Sequence, residues 1–314
     1  MKRNLLLAIL ILISAAGCQR ARPVRVEGKI NVTTVIFPSW DFVRVIAGDR
    51  VNLVMLLPPG TESHSFEPRP LDIITINESD IFIYPGGENS KWVERILDSL
   101  DVSDKMKILK LMDMVEVVEE EIVEGMEDDD DHEGEDHSPA FDEHVWTSPR
   151  NAKVIVAAIT EALCTQDSAN AEFYQQNAAD YLARLDELDA SFRAVVDGAK
   201  RKTVIFGDRF PFRYLADAYG LTYFAAFPGC STDTEPSAST VAFLINKVKS
   251  EQVPVIFHIE LSNEKIADTI SEAAGVKKLL LHSCHNVTRR DFENGANYLD
   301  IQKANVENLR EALW

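Results

Sequence analysis

A chain of 314 residues, 46% of them hydrophobic, is long enough for roughly two domains with buried cores. Its net charge of −19 is concentrated: fifteen of the 51 acidic residues fall between Glu116 and Glu143, a stretch without Lys or Arg, and the remainder carries 36 acidic against 32 basic residues. That balance, with no Lys/Arg-rich stripe, argues against a nucleic-acid partner.

The chain opens with a basic start, Met1-Lys2-Arg3, an apolar run from Leu5 to Ile13, and Ser14-Ala15-Ala16-Gly17 directly before Cys18. This predicts a signal peptide over residues 1–17. Its apolar part is too short for a permanent membrane span. A cysteine after Ala-Ala-Gly is the pattern of a bacterial lipoprotein signal, with Cys18 lipidated and the mature chain anchored on the extracytoplasmic side of the cell membrane. An ordinary secretory signal is the alternative.

Residues 18–28 read as a linker. β-Branched runs at Lys29 to Phe37, Val51 to Leu57 and Ile81 to Tyr84 stop at proline or glycine and predict strands. Helical patterns lie between and after them, at Trp40 to Ala47, Pro70 to Glu78 and Lys91 to Leu100. The acidic run follows, with Asp128 to Asp131, His132 and His137 at its centre. It reads as a solvated loop, or as one that also gathers divalent metal on its imidazoles and carboxylates.

Ser148-Pro149 opens a helix through Leu163. From Ser168 to Lys200, apolar residues including Tyr174, Tyr181, Leu185, Leu188 and Phe192 recur at three and four positions, the signature of a long helix with one apolar face. The α/β rhythm then resumes, with strands at Lys202 to Phe206, Thr222 to Phe227, Val253 to Ile259 and Lys277 to His282. Helices are predicted at Pro211 to Tyr219, Ser237 to Glu251, Asn263 to Ala274 and Ile301 to Leu313. The fold class is therefore α/β: two lobes, each a largely parallel sheet flanked by helices (29–167 and 201–314), joined by one long rigid helix (168–200).

Outside the acidic run, His64, His144, His282 and His285 follow strand or turn signals, where ligands collect in open α/β sheets. His258 falls within a strand and reads as core. No Cys-x-x-Cys spacing joins Cys164, Cys230 and Cys284, and whether Cys230 and Cys284 pair as a disulfide is open.

The segment Pro58-Pro59-Gly60-Thr61-Glu62-Ser63-His64-Ser65-Phe66-Glu67-Pro68 resembles the first histidine motif of the cluster A-I metal-binding proteins, the extracytoplasmic receptors of zinc and manganese ABC transporters. Asp142-Glu143-His144-Val145-Trp146-Thr147-Ser148-Pro149 is similar to the second, and Tyr214-Leu215-Ala216 with Tyr219-Gly220-Leu221 to the segment after the third. The resemblance covers nearly all of the mature chain. It implies metal held between two lobes, and an acidic His-rich insertion is typical of the zinc members.

One departure stands out. The slot of the family's third ligand holds Arg209, whose guanidinium has no lone pair to donate. Neighbouring Asp208 could supply an oxygen, or could simply pair with Arg209. The slot commonly filled by a fourth-ligand Asp reads as His282, and imidazole there favours Zn²⁺ over Mn²⁺. The expected ligand set is therefore His64, His144, His282 and Asp208, with Glu260, His285 and Cys284 as weaker candidates.

The resemblance implies a monomeric receptor, not an enzyme, that captures Zn²⁺ (or Mn²⁺) and delivers it to a membrane permease driven by a cytoplasmic ATPase. The same fold could instead serve a non-metal ligand. A zinc hydrolase is a further alternative, although the sequence has no His-Glu-x-x-His motif and no nucleophile elbow.

Overall fold

The computed structural model describes residues 26–62, 66–100, 105–126, 141–231 and 235–314. The signal segment with Cys18, His64, and the centre of the acidic run with His132 and His137 lie outside these residues.

Two four-stranded sheets organise the chain. The first contains β1 (Asn31–Thr34), β2 (Asn52–Met55), β3 (Ile81–Tyr84) and β4 (Lys107–Lys110) in the order β2-β1-β3-β4. The second contains β5 (Thr203–Phe210), β6 (Thr222–Pro228), β7 (Val255–His258) and β8 (Lys277–Leu280) in the order β6-β5-β7-β8. Every pairing is parallel, so the same winding is used twice.

Parallel neighbours need crossovers, and a helix lies in each of them. In chain order these are α1 (Phe37–Ala47), α2 (Pro70–Asn77) and α3 (Lys91–Ser99) in the first lobe, and α4 (Pro149–Gln166) and α5 (Ala171–Asp197) between the lobes. In the second lobe α6 (Arg213–Tyr219), α7 (Ala238–Ser250), α8 (Lys265–Ala274), α9 (Arg289–Glu293) and α10 (Tyr298–Leu313) follow.

Helix α5 is about 40 Å long at 1.5 Å per residue. Its buried Tyr174, Ala178, Tyr181, Leu185, Leu188 and Phe192 form one stripe, which packs against α1, α4 and α10. One continuous apolar core consequently runs from the first sheet through α5 to the inner face of the second sheet, while a smaller cluster around Leu244, Ile256 and Ile270 fills the outer face. No described helix is long and apolar enough to cross a membrane.

Three local departures from the predicted elements have clear causes. Strand β4 is an edge strand whose Lys107 and Lys110 bracket only two apolar residues, so it carries little hydrophobic signal. Helix α1 begins at Phe37, because Pro38 occupies its first turn instead of ending a strand. Strand β5 runs on to Phe210 through an irregularity between Phe206 and Arg209. Gly207 sits there because a Cβ would stand 2.5 Å from Cα of Ala267 in α8.

The acidic stretch is not solvated throughout. Its first part lies on the second lobe as a strap: Glu121 meets Tyr223 Oη at 3.2 Å and Arg213 Nε at 3.5 Å, and Glu124 meets Lys247 Nζ at 3.6 Å. Gly125 passes so close to Phe243 that a Cβ would overlap the ring. The strap then meets the returning chain through the antiparallel bridge between Glu119 and Phe141.

Candidate metal centre

His144 is set by a local turn. Asp142 Oδ1 accepts the backbone N–H of His144 at 2.7 Å and lies 3.1 Å from its Nδ1. A carboxylate so placed holds the imidazole proton on Nδ1 and makes Nε2 the nitrogen with a lone pair, the arrangement common behind metal-bound histidines. The turn is pinned from the second lobe: Tyr214 donates to the Asp142 carbonyl at 2.7 Å, and Tyr298 to that of Trp146 at 2.7 Å. Trp146 Nε1 donates to the Ser283 carbonyl at 2.8 Å. His144 is fully buried.

The facing turn, Ser283 to Asn286, follows β8. Glu260 fastens it by accepting from the backbone N–H groups of Ser283 (2.7 Å) and His285 (3.1 Å) and from the Ser283 hydroxyl. Cys284 takes a left-handed φ of 64° to make the reversal. The His285 ring is thereby aimed at the other lobe, with centroids 5.3 Å from His144 and 5.0 Å from Trp146. Asn286 Nδ2 donates to the carbonyls of Pro58 (2.8 Å) and Thr61 (2.9 Å), and Gly60 N–H to Val287 O (2.7 Å). The loop leading to His64 is thus clipped onto the same turn.

Between these elements lies a small cleft lined by Thr61, Glu62 and His144 from one side and Glu260, Ser283 and His285 from the other, among others. It accommodates the centre of a water-sized body over about 20 Å³. That is room for a water or a bare ion.

The electrostatics suit a cation. Burial opposes charging the His144 imidazole, yet adjacent Asp142, reinforced by Glu143 and Glu120, raises its pKa above the ordinary value. Burial also raises the Glu120 carboxyl. The Cys230 thiol is pushed far up by burial and then by Glu143, Asp142 and Glu120.

Of the four expected ligands, the structure places His144 in the cleft, and His64 lies outside the described residues. His282 is turned away from it: its Nδ1 accepts the Cys284 N–H at 3.0 Å and lies 3.4 Å from Glu260. His285, expected to be secondary, is the imidazole that faces His144. The two are three residues apart in an irregular turn, where neither helical nor strand periodicity tells which one points inward.

Asp208 does not line the cleft either. It stabilises the β5 irregularity, accepting from the backbone N–H groups of Arg209 (2.9 Å) and Ile259 (3.3 Å), and burial raises its pKa. Arg209 pairs across the lobes with Glu62. Glu260 serves mainly as the fastener just described. His258 is largely buried, with Nδ1 3.1 Å from the Ile259 carbonyl. Cys164, Cys230 and Cys284 are all free thiols, so the Cys230–Cys284 disulfide does not form.

Comparison with known proteins places the chain in a family. The family described as "ZnuA: Zinc-uptake complex component A periplasmic" matches residues 32–312. The chain belongs to this family.

Family members are substrate-binding receptors. The chain is 34% identical over 311 residues to "Zinc-binding lipoprotein AdcA" of Streptococcus pneumoniae, a match that covers 99% of this chain and 60% of that protein. It therefore spans about three fifths of the length of that relative. It is 32% identical over 292 residues to "High-affinity zinc uptake system protein ZnuA" of Bacillus subtilis, covering 91% of this chain and 88% of that one. Among solved structures, the Zn(II)-bound ZnuA-like domain of Streptococcus pneumoniae AdcA superposes with a TM-score of 0.74 at 31% identity, covering 91% of this chain and 99% of that domain.

Proposed function

We propose that the chain is the extracytoplasmic receptor of an ABC importer, which captures Zn²⁺ in the cleft between its lobes and delivers it to a membrane permease driven by a cytoplasmic ATPase. The observation that carries this reading is the approach of two largely buried imidazoles, His144 and His285, from opposite sides of a cleft sized for an ion. Nitrogen ligands suit zinc, and the carboxylates around His144 compensate its charge. Membership of the zinc-uptake family and likeness to a zinc-bound domain support the same cargo.

His144 and His285 are the ligands in this reading, and His64 joins them from the loop clipped to the 283–286 turn. His282 and Asp208 are committed to the hydrogen bonds described above. The protein acts as a monomer anchored through a lipid on Cys18, and it makes or breaks no covalent bond in its cargo.

Calorimetric titration of the metal-stripped full chain with Zn²⁺ tests the proposal, together with a form in which residues 127–140 are replaced by a Gly/Ser linker. That replacement spares the packed strap. A single tight zinc event that survives it and is lost in His144→Ala and His285→Ala supports the cleft. Loss of tight binding with the loop alone would refute it.

A further inference from the structure

The sequence shows no zinc motif built on cysteine, yet one thiol stands beside the cleft. Cys230, in the connection between β6 and α7, has its Sγ within 4.8 Å of ligand atoms of both Asp142 and His144. These three side chains form the one cluster of its kind among the described residues.

The approach is built, not incidental. Glu120 Oε1 in the strap accepts the Cys230 N–H at 2.7 Å and fixes the backbone under the thiol. The preceding Gly229 lines the cleft beside His144 and has no room for a side chain: a Cβ would stand 2.8 Å from Phe210 O and 3.0 Å from Asp142 Oδ2. Cys164 and Cys284 sit elsewhere and are free thiols: Cys164 lies on α4, with its Sγ 3.6 Å from the Ala171 carbonyl, and Cys284 is buried against Gln302.

We propose that Cys230 is a ligand of the transported ion, supplying a thiolate from the second lobe to the metal held by His144, with Asp142 as carboxylate support. On binding, the thiol gives its proton to solvent and the sulfur lone pair goes to the metal. A mixed nitrogen and sulfur set selects borderline and soft ions such as Zn²⁺ and Cd²⁺ and discriminates against Mn²⁺, which prefers oxygen. Because Cys230 and Asp142 lie on different lobes, the sulfur bond exists only while the lobes are together. The inference rests on the proposed metal-receptor function and adds the identity of one ligand to it.

X-ray absorption of the full chain loaded with one equivalent of Zn²⁺ decides the matter without any mutation. The expected spectrum contains a sulfur shell at about 2.3 Å beside nitrogen and oxygen at about 2.0–2.1 Å. Zinc bound tightly but with nitrogen and oxygen only would overturn the sulfur ligand and leave the receptor reading intact, whereas failure to bind zinc tightly would refute both. In the Co²⁺-loaded protein a thiolate-to-metal charge-transfer band should appear, persist in Cys164→Ser and vanish in Cys230→Ser. Its persistence in Cys230→Ser would equally overturn the proposal. Cys230→Ser should also weaken Zn²⁺ by more than the roughly tenfold that follows loss of an outer-shell partner, while leaving Mn²⁺ affinity within a fewfold of its starting value.

Discussion

Arg209 Nη1 on strand β5 lies 3.4 Å from Oε1 of Glu62, in the loop that leads to His64, so a second-lobe guanidinium holds a first-lobe carboxylate across the mouth of the cleft. An arginine cannot ligate a metal, but here it ties down the entrance.

The pair is partly exposed, at 14% for Arg209 and 38% for Glu62, and is worth at most about 1 kcal/mol of folding stability. Its effect should appear in kinetics. Glu62→Gln is expected to leave the melting temperature nearly unchanged and to accelerate Zn²⁺ release to a chelator, followed by stopped flow. The difference should shrink as salt is added, since screening weakens an exposed pair. Equal release rates at low salt would show that the pair does not restrain the lobes.

Asp142 orients His144, so Asp142→Asn should weaken zinc roughly tenfold to a hundredfold with little change in fold. The readout is calorimetric affinity alongside circular dichroism. An unchanged affinity would mean that the ring holds its position through Trp146 and His285 alone.

Gly229→Ala should be worse than its one added carbon suggests. The new methyl would meet two backbone atoms, Phe210 O at 2.8 Å and Pro211 Cα at 3.2 Å, as well as Asp142 Oδ2 at 3.0 Å. Backbone cannot step aside as a flexible side chain can, so we expect a loss of about 1–3 kcal/mol in urea unfolding and weaker zinc binding in the same variant.

Asp189 on α5 gathers three donors: Arg150 Nε at 3.0 Å, Tyr219 Oη at 2.9 Å and Arg193 Nε at 3.0 Å. Burial favours the neutral acid, but hydrogen bonds from Arg193, Tyr219 and Arg150 outweigh it and lower the pKa. A carboxyl depressed in the folded state contributes stability that is present above its unfolded pKa of about 3.9 and is lost as pH falls through the folded value. Asp189→Asn should therefore cost about 2 kcal/mol at pH 7, and its unfolding curve should converge on that of the parent below pH 4. A gap independent of pH would assign the loss to packing.

Much of this architecture is written in short-range pattern. The period of Tyr174, Tyr181, Leu185 and Phe192 locates the connecting helix, and the run Ile81 to Tyr84 locates a central strand, because both bury one continuous apolar surface. The site is less legible. His144 is marked by its neighbours Asp142 and Trp146, whereas choosing between His282 and His285 depends on the left-handed turn at Cys284, which local propensity does not specify. Asp208 reads as a candidate ligand until Ile259, 51 residues away, is seen to donate to it. Cys230 has no motif around it; only folding brings it to Asp142.

Helix α10 bears on the order in which the first lobe can be packed. Asp41, a buried carboxylate in the first helix, accepts from the N–H of Tyr298, whose ring packs edge-on against Phe42 at 5.0 Å. Both contacts belong to the first lobe, yet their partner lies 257 residues further along the chain than Asp41. A ribosome that has finished the amino-terminal half has produced a lobe in which Arg44 holds one oxygen of Asp41 while the other still lacks the Tyr298 N–H, and the Phe42 face is uncovered. Packing of this face of the first helix must therefore wait until the segment around Tyr298 has been made and has folded back onto it.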